Sequence, residues 1–220
     1  MNLNSPLLAC PRTARLLRLV DVVLSSLALV ALGPLLLVVA ASIRLTMGTP
    51  ILFRQQRSGL GEQPFEILKF RTMRVSATPA TSGADDARRL TRLGRFLRKT
   101  SLDELPELLN VIRGEMSLVG PRPLLIEYEG FYTGTEQARF LVRPGLTGLA
   151  QVSGRGTATW DQKLAWDAQF ARAYSVPLYF SILLRTFGTL LQFRQVPASP
   201  FQHEQRLDTE RADYVIRRSA

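Results

Sequence analysis

Asp103 and Glu104 stand side by side in the run Lys99-Thr100-Ser101-Leu102-Asp103-Glu104-Leu105-Pro106, and Gly120-Pro121-Arg122-Pro123 follows shortly after. Two adjacent carboxylates among arginines suit chemistry on a phosphate ester. A carboxylate nucleophile or base needs its charge held, and a phosphate needs cations around it. Ser101 and Glu104 also fit a capping box, Ser-x-x-Glu, which would start a helix and do no chemistry. These residues alone leave both readings open. The chain has one histidine, His203, and one cysteine, Cys10. That leaves no basis for a Ser-His-Asp, Cys-His or His-rich zinc site and no intramolecular disulfide, so a reducing compartment is expected. Acid–base and nucleophilic work falls to carboxylates, with lysine and arginine as electrostatic partners.

Candidate cations lie in four places. In the stretch 65–72 a strand would put Lys69 and Arg71 on one face, where the pair could grip one phosphate; a solvated strand face is the other reading. Arg122 sits between two prolines, and the following proline keeps its backbone out of the helical region. A guanidinium fixed in this way suits bidentate phosphate binding, and a rigid surface turn is the alternative. Arg98 falls off the basic stripe formed by Arg88, Arg92, Arg95 and Lys99, which points to a separate task. The glycine-rich stretch 143–156, with Arg143 and Arg155, matches neither a Walker A loop nor a Rossmann fingerprint. Together with Asp161 these two arginines are the candidates for further substrate contact.

The elements that must position these groups are short. Residues 51–55 and 65–72 read as a β-hairpin around Gly59 and Gly61, and 75–84 as a loop. Leu90, Leu93 and Leu97 oppose the basic stripe on an amphipathic helix of the kind that lies on anionic membranes. The next helix begins near Ser101 or Asp103, holds Pro106 in its first turn and ends at Gly114, which places both carboxylates at its positive end. Residues 161–174 and 178–193 read as helices, and a charged tail with a peripheral helix follows.

Residues 22–43 carry no charge. At ~1.5 Å per residue the run reaches ~33 Å, enough to span a bilayer. Pro34 at its centre withholds an N–H and crowds the carbonyl of Val30, so a break is expected there. Arg12, Arg15 and Arg18 precede the run, and Arg44, Arg54 and Arg57 follow it. Basic flanks on both sides favour a hairpin that enters and leaves by the cytoplasmic face, with Asp21 pairing to Arg18 one turn away. A kinked spanning helix, and a signal peptide cleaved after the small residues Ala40, Ala41 and Ser42, are the competing readings. The net charge of +10 points to an anionic partner without choosing among nucleic acid, anionic lipid and phosphorylated substrate.

Phe53-Arg54-Gln55, Lys69-Phe70-Arg71-Thr72-Met73, the Asp103 segment, Met116-Ser117-Leu118-Val119-Gly120-Pro121-Arg122-Pro123 and Arg143-Pro144-Gly145-Leu146-Thr147-Gly148 occur in this order behind an apolar segment broken at Pro34. The chain thereby resembles the bacterial sugar transferase family, the monotopic polyprenyl-phosphate phosphoglycosyltransferases, from about residue 15 to 191 and in its minimal-length form. The resemblance implies transfer of a phosphosugar from a UDP-sugar to undecaprenyl phosphate, with release of UMP, as the first membrane step of glycoconjugate or exopolysaccharide assembly. It implies that Asp103 is the nucleophile and contacts Mg²⁺, that Glu104 assists the incoming polyprenyl phosphate as a base, and that Lys69, Arg98 and Arg122 contact phosphate. Gly33 departs from the serine usual in the family before the central proline.

The expected architecture is α+β and predominantly helical: a re-entrant membrane helix-break-helix, a short β-hairpin, and interfacial helices around a cytoplasmic catalytic core. The boundaries are 1–48 for the membrane segment, 49–195 for the phosphoglycosyltransferase domain and 196–220 for the tail. Expected partners are a UDP-sugar, undecaprenyl phosphate and the bacterial inner membrane, with no nucleic acid and with self-association left open. The rival function is a non-enzymatic, membrane-tethered basic protein that binds anionic lipid or nucleic acid. It leaves the carboxylate pair among cations unexplained.

Overall fold

The computed structural model describes residues 11–75, 88–154, 158–190 and 207–211. The expected loop 75–84 lies almost wholly outside these residues, as do Cys10, Arg155 and His203. Helix α1 (Pro11–Met47) continues through Pro34 as one helical element, so the break expected there is not seen as an interruption. A helix can absorb one missing N–H donor and still hold its pattern on either side. Leu17, Asp21 and Ser25, spaced four apart, form one buried stripe near the start of α1, and Val39 and Ile43 form another near its end. Between them Leu27, Val30 and Leu37 are 62%, 80% and 73% exposed, an apolar surface without protein cover.

Strands β1 (Leu52–Ser58) and β2 (Pro64–Phe70) pair antiparallel, as the alternation predicts, with Phe53 opposite Lys69 and Arg57 opposite Phe65. The turn between them uses Gly61 at φ 61, a conformation glycine adopts without steric cost. Helix α2 (Arg92–Lys99) starts later than the basic stripe suggests. Thr91 caps it by accepting from the Gly94 amide at 2.9 Å, while Leu90 forms a β-bridge with Met73. Gly94 lets α2 lie against the segment after β2: a Cβ there would sit 1.9 Å from the Thr72 carbonyl oxygen.

A 3₁₀ turn, Leu102–Glu104, carries both carboxylates, and α3 (Glu107–Arg113) follows, closed by Gly114 at φ 89. The helix expected from Ser101 onward is thus split, and the carboxylates precede α3 rather than occupying its first turn. Ser101 adopts φ 56, ψ 17 and makes no side-chain cap, so the capping-box reading fails. A left-handed serine is strained, and such strain collects at functional sites.

The glycine-rich region is structured. Strand β3 (Ser117–Val119) pairs in parallel with β4 (Gly145–Thr147), and α4 (Leu149–Ser153) follows. A Cβ on Gly145 would lie 2.0 Å from the Gly120 amide nitrogen, so the segment that leads into Arg122 is packed backbone against backbone. Helix α5 (Trp160–Arg172) begins with a true capping box, Thr159 with Gln162, and α6 (Val176–Leu190) packs behind β3 and β4. The short helix α7 (Leu207–Glu210) buries Leu207 against Tyr128, Tyr132, Phe140 and Leu164. The chain is mostly helical, with two short sheets and one long apolar N-terminal helix.

The main core joins β2 (Phe65, Ile67), α3 (Leu108, Val111), β3, α4, α5 and α6, with Leu17 of α1 inserted. A separate cluster packs Val39 and Ile43 of α1 against Phe70 and Leu97. Both ends of α1 are therefore fastened to one globular body. At its start, Arg18 donates to the Val111 and Ile112 carbonyls at the end of α3, at 2.5 and 2.8 Å. Asp21 Oδ1 accepts from Tyr179 Oη at 2.5 Å, the Leu118 amide at 2.8 Å and Ser117 Oγ at 3.1 Å. The pairing of Asp21 with Arg18 expected from their spacing is replaced by these contacts.

Candidate active site

Four segments meet around the two carboxylates. Strand β2 brings Lys69, the end of α2 brings Arg98, the 3₁₀ turn brings Asp103 and Glu104, and the Pro121–Pro123 turn brings Arg122. Asn110 of α3 sets the first of these. Its carboxamide accepts from the Leu68 amide at 3.0 Å and donates to the Glu66 carbonyl at 2.7 Å, standing in for a missing neighbour strand at the edge of β2. It also donates to Glu115 at 2.7 Å. Lys69 follows directly. Its Nζ lies 2.9 Å from Glu104 Oε1 and 3.1 Å from Glu107 Oε1.

Arg122 Nη2 donates to Glu104 Oε1 at 2.6 Å from a side chain that is 44% exposed, so part of its guanidinium faces outward. Its backbone is held from behind. Arg139, buried among Tyr132 and Phe140, donates to the Arg122 carbonyl at 2.5 Å and pairs with Asp167 at 3.2 Å. Arg98 donates through Nε to Thr72 Oγ1 at 3.0 Å, the contact that the close approach at Gly94 permits.

The adjacent carboxylates differ sharply. Burial would push the Glu104 carboxyl up, but Arg122 and Lys69 outweigh it and hold the group well below the usual range. Burial pushes Asp103 up, and Glu104 adds to the rise, against the pull of Lys69, Arg98 and Arg122. Asp103 is only 9% exposed, yet among the described residues no hydrogen-bond donor reaches its carboxylate. Glu107 is a third carboxylate in the cluster, and burial together with Glu104 pushes it up despite Lys69. Sequence reasoning passed over Glu107. Its place four residues after Asp103 was the available signal.

Arg71 is not brought to the carboxylates. Its guanidinium, on a residue 5% exposed, donates to the Met47, Gly48 and Thr49 carbonyls at 2.6, 2.7 and 2.9 Å and fastens the end of α1. Strand β2 ends at Phe70, so the alternation that pairs Arg71 with Lys69 stops one residue short. Arg143 lies at the other end of α3, donating to the Gly114 carbonyl at 2.9 Å. Asp161 pairs with Arg211 beside Glu136. Arg155 lies outside the described residues. Among the described residues no group of three or more His, Cys, Asp or Glu side chains is arranged to hold a metal ion.

A profile of the bacterial sugar transferases matches residues 12–193. The chain belongs to the bacterial sugar transferase family. It is similar to a UDP-glucose:undecaprenyl-phosphate glucose-1-phosphate transferase of Caulobacter vibrioides, 46% identical over 187 residues, which covers 79% of this chain and 69% of the relative. An uncharacterised sugar transferase of Bacillus subtilis, EpsL, is 41% identical over 174 residues, 79% of this chain and 86% of the relative. The exopolysaccharide production protein ExoY of Sinorhizobium fredii is 38% identical over 183 residues, 76% of this chain and 81% of the relative. The bacterial sugar transferase family is one of enzymes, and the long apolar α1 gives this member a membrane association.

Proposed function

We propose that this bacterial sugar transferase moves a sugar phosphate from a UDP-sugar to undecaprenyl phosphate through a covalent intermediate on Asp103. The observation that carries the proposal is the contrast within the pair: Asp103 is buried without a donor among the described residues, while Glu104 is held by Lys69 and Arg122. In the first step an Asp103 carboxylate oxygen bonds to the sugar-bearing phosphorus. The bond from that phosphorus to the bridging oxygen breaks, and its electron pair leaves on the phosphate of UMP. In the second step an oxygen of the lipid phosphate bonds to the same phosphorus, and Asp103 departs as carboxylate. The product is a lipid diphosphate-linked sugar.

Lys69 and Arg122 face two tasks. Substrate phosphate competes for the donors that Glu104 now occupies, and a Glu104 released by that exchange is placed to take the proton of the acceptor phosphate. A bidentate guanidinium suits Arg122 for this, and Arg98 adds charge beside Asp103. Mg²⁺ fits the residues present. A hard cation of this kind needs one or two carboxylates plus substrate oxygens, and the Asp103 carboxylate has no competing donor among the described residues. Asp103 would hold it, and it would neutralise negative charge on the phosphate under attack.

The proposed topology draws its support from α1. A straight helix would separate Arg18 from Met47 by ~43 Å at ~1.5 Å per residue. Arg18 is tied to α3, Asn110 of α3 to Leu68, and Arg71, three residues on, to Met47. Ends fastened to one small body, with an exposed apolar middle around Pro34, support a re-entrant helix that bends within one leaflet. Basic flanks on both sides support a catalytic body on the cytoplasmic face of the inner membrane. The test is UMP release from a panel of UDP-sugars by the detergent-solubilised chain with Mg²⁺ and undecaprenyl phosphate. Release with one or more sugars, dependent on acceptor for turnover, is expected. No release from any UDP-sugar would overturn the proposal.

A further inference from the structure

Arg57 has no part in the machinery described so far, and it combines a spare buried donor with a place beside the Pro121–Pro123 turn, with Glu107 and Glu127 also acting on its charge. It lies on β1, opposite Phe65, on the strand face that also carries Lys69 opposite Phe53. The next residue pins it to the Arg122 turn: the Ser58 amide donates to the Leu124 carbonyl at 3.3 Å, and Ser58 Oγ donates to Glu129 at 2.6 Å. Arg57 Nη2 donates to Gln55 Oε1 at 2.7 Å, while its Nε is buried with no hydrogen-bond partner among the described residues. A buried donor left without a partner costs free energy, so a natural partner at this position is expected to come with the ligand. Burial first, and then the charge of Arg122, bring the guanidinium down to about 10, against the opposite pull of Glu107 and Glu127.

We infer that Arg57 and Arg122 form a second phosphate subsite, which holds the nucleotide phosphate of the donor while Asp103 attacks the sugar-bearing phosphorus. The inference rests on the function proposed above. Its geometry comes from the order of the charges. Lys69 stands on the same face of the β1–β2 pair as Arg57 but toward its other end, and the Ser58–Leu124 contact brings the Arg57 end of β1 beside the Pro121–Pro123 turn. In a displacement at phosphorus the attacking and leaving oxygens lie in line, so the leaving phosphate is on the side away from Asp103. Arg122 spans the two positions and Arg57 meets the outer one. Because the lipid phosphate must enter from that same side, the subsite serves the leaving UMP and then the acceptor.

UMP is the probe, with uridine as the comparison that lacks the phosphate. The full-length chain in detergent is titrated with each, as wild type, Arg57→Gln and Arg57→Lys, and the unfolding midpoint of each variant is measured alongside. Wild type should bind UMP well above uridine. Arg57→Gln should weaken UMP about tenfold or more, the effect of one charge-assisted hydrogen bond, with uridine binding unchanged. Arg57→Lys, which keeps the charge and loses the fork, should fall between. Wild-type UMP affinity in an Arg57→Gln or Arg57→Lys chain with the wild-type midpoint would overturn the inference. Failure of the wild type itself to bind UMP above uridine would instead count against the UDP-sugar reading. If Arg57→Gln does not fold, Arg57→Lys decides alone, since its lost fork must still show in UMP and not in uridine.

Discussion

Asp103 and Glu104 are sequence neighbours on one 3₁₀ turn, yet Glu104 Oε1 takes both Lys69 at 2.9 Å and Arg122 at 2.6 Å while no donor reaches Asp103 among the described residues. Neighbouring carboxylates whose surroundings drive them apart mark separate roles in a reaction. On the proposed mechanism the first forms the bond to phosphorus, and the second is kept charged by groups that a substrate phosphate would claim.

Arg122→Lys tests the claim on those groups. Lysine keeps the charge but cannot make the planar two-pronged contact. The loss should be about 1.5–3 kcal/mol, or about 10–100-fold in kcat/KM for UMP release, with the unfolding midpoint close to wild type. Near-normal turnover would remove Arg122 from the site.

Asn110 offers a test of how the fold holds Lys69. Asn110→Ala leaves the Leu68 amide and Glu66 carbonyl without their partner. Two buried backbone groups so exposed cost about 2–4 kcal/mol, read from chemical unfolding. Turnover should fall further than the folded fraction does, because Lys69 is the next residue. A variant with wild-type stability would show that the carboxamide does not brace β2.

Topology can be read by cysteine labelling of intact cells, in a Cys10→Ser background. Asn4→Cys and Gln56→Cys, on opposite flanks of α1, should both be shielded from a reagent that stays in the periplasm. Pro34→Ala should straighten α1 and expose Asn4→Cys to that reagent. Periplasmic labelling of Asn4→Cys with Pro34 intact would establish a spanning helix.

The docking of α7 should depend on pH. Glu136 accepts from Arg211 at 2.7 and 2.9 Å and from the Thr133 amide at 2.8 Å. Burial alone would raise it, but these contacts hold it below the ordinary glutamate range. A depressed carboxyl contributes stability at neutral pH that is lost as the pH falls through the folded-state value. Acid should therefore release α7, read as faster thiol labelling of Leu207→Cys relative to a free thiol at the same pH, and Glu136→Gln should release it at neutral pH. Labelling at the same rate in all three conditions would contradict the pairing.

The carboxylate pair, Lys69 and Arg122 were legible because their meaning lies in local runs: adjacent acids, a strand, and an arginine between prolines. Arg71 misled for the same reason. Two-residue alternation places it beside Lys69, but the strand stops at Phe70 and the guanidinium turns to the carbonyls that end α1. Asp21 was assigned to its helical neighbour Arg18, whereas its partners are Ser117, Leu118 and Tyr179, which no local spacing reveals. The parallel pair β3 and β4 escaped because strands of three residues carry no period. Arg57 was counted as a membrane flank, whereas it lies on β1 opposite Phe65, next to a Ser58 tied to Leu124.

The most direct test of the central claim is intact-protein mass spectrometry of the chain with Mg²⁺ and a UDP-sugar it turns over, in the absence of undecaprenyl phosphate. A covalent Asp103 intermediate predicts at most one UMP per enzyme and a matching mass increase of one sugar phosphate, lost when acceptor is added and never formed by Asp103→Asn. Direct attack by the lipid phosphate in a ternary complex predicts no adduct and no UMP until acceptor arrives, and that result would contradict the account.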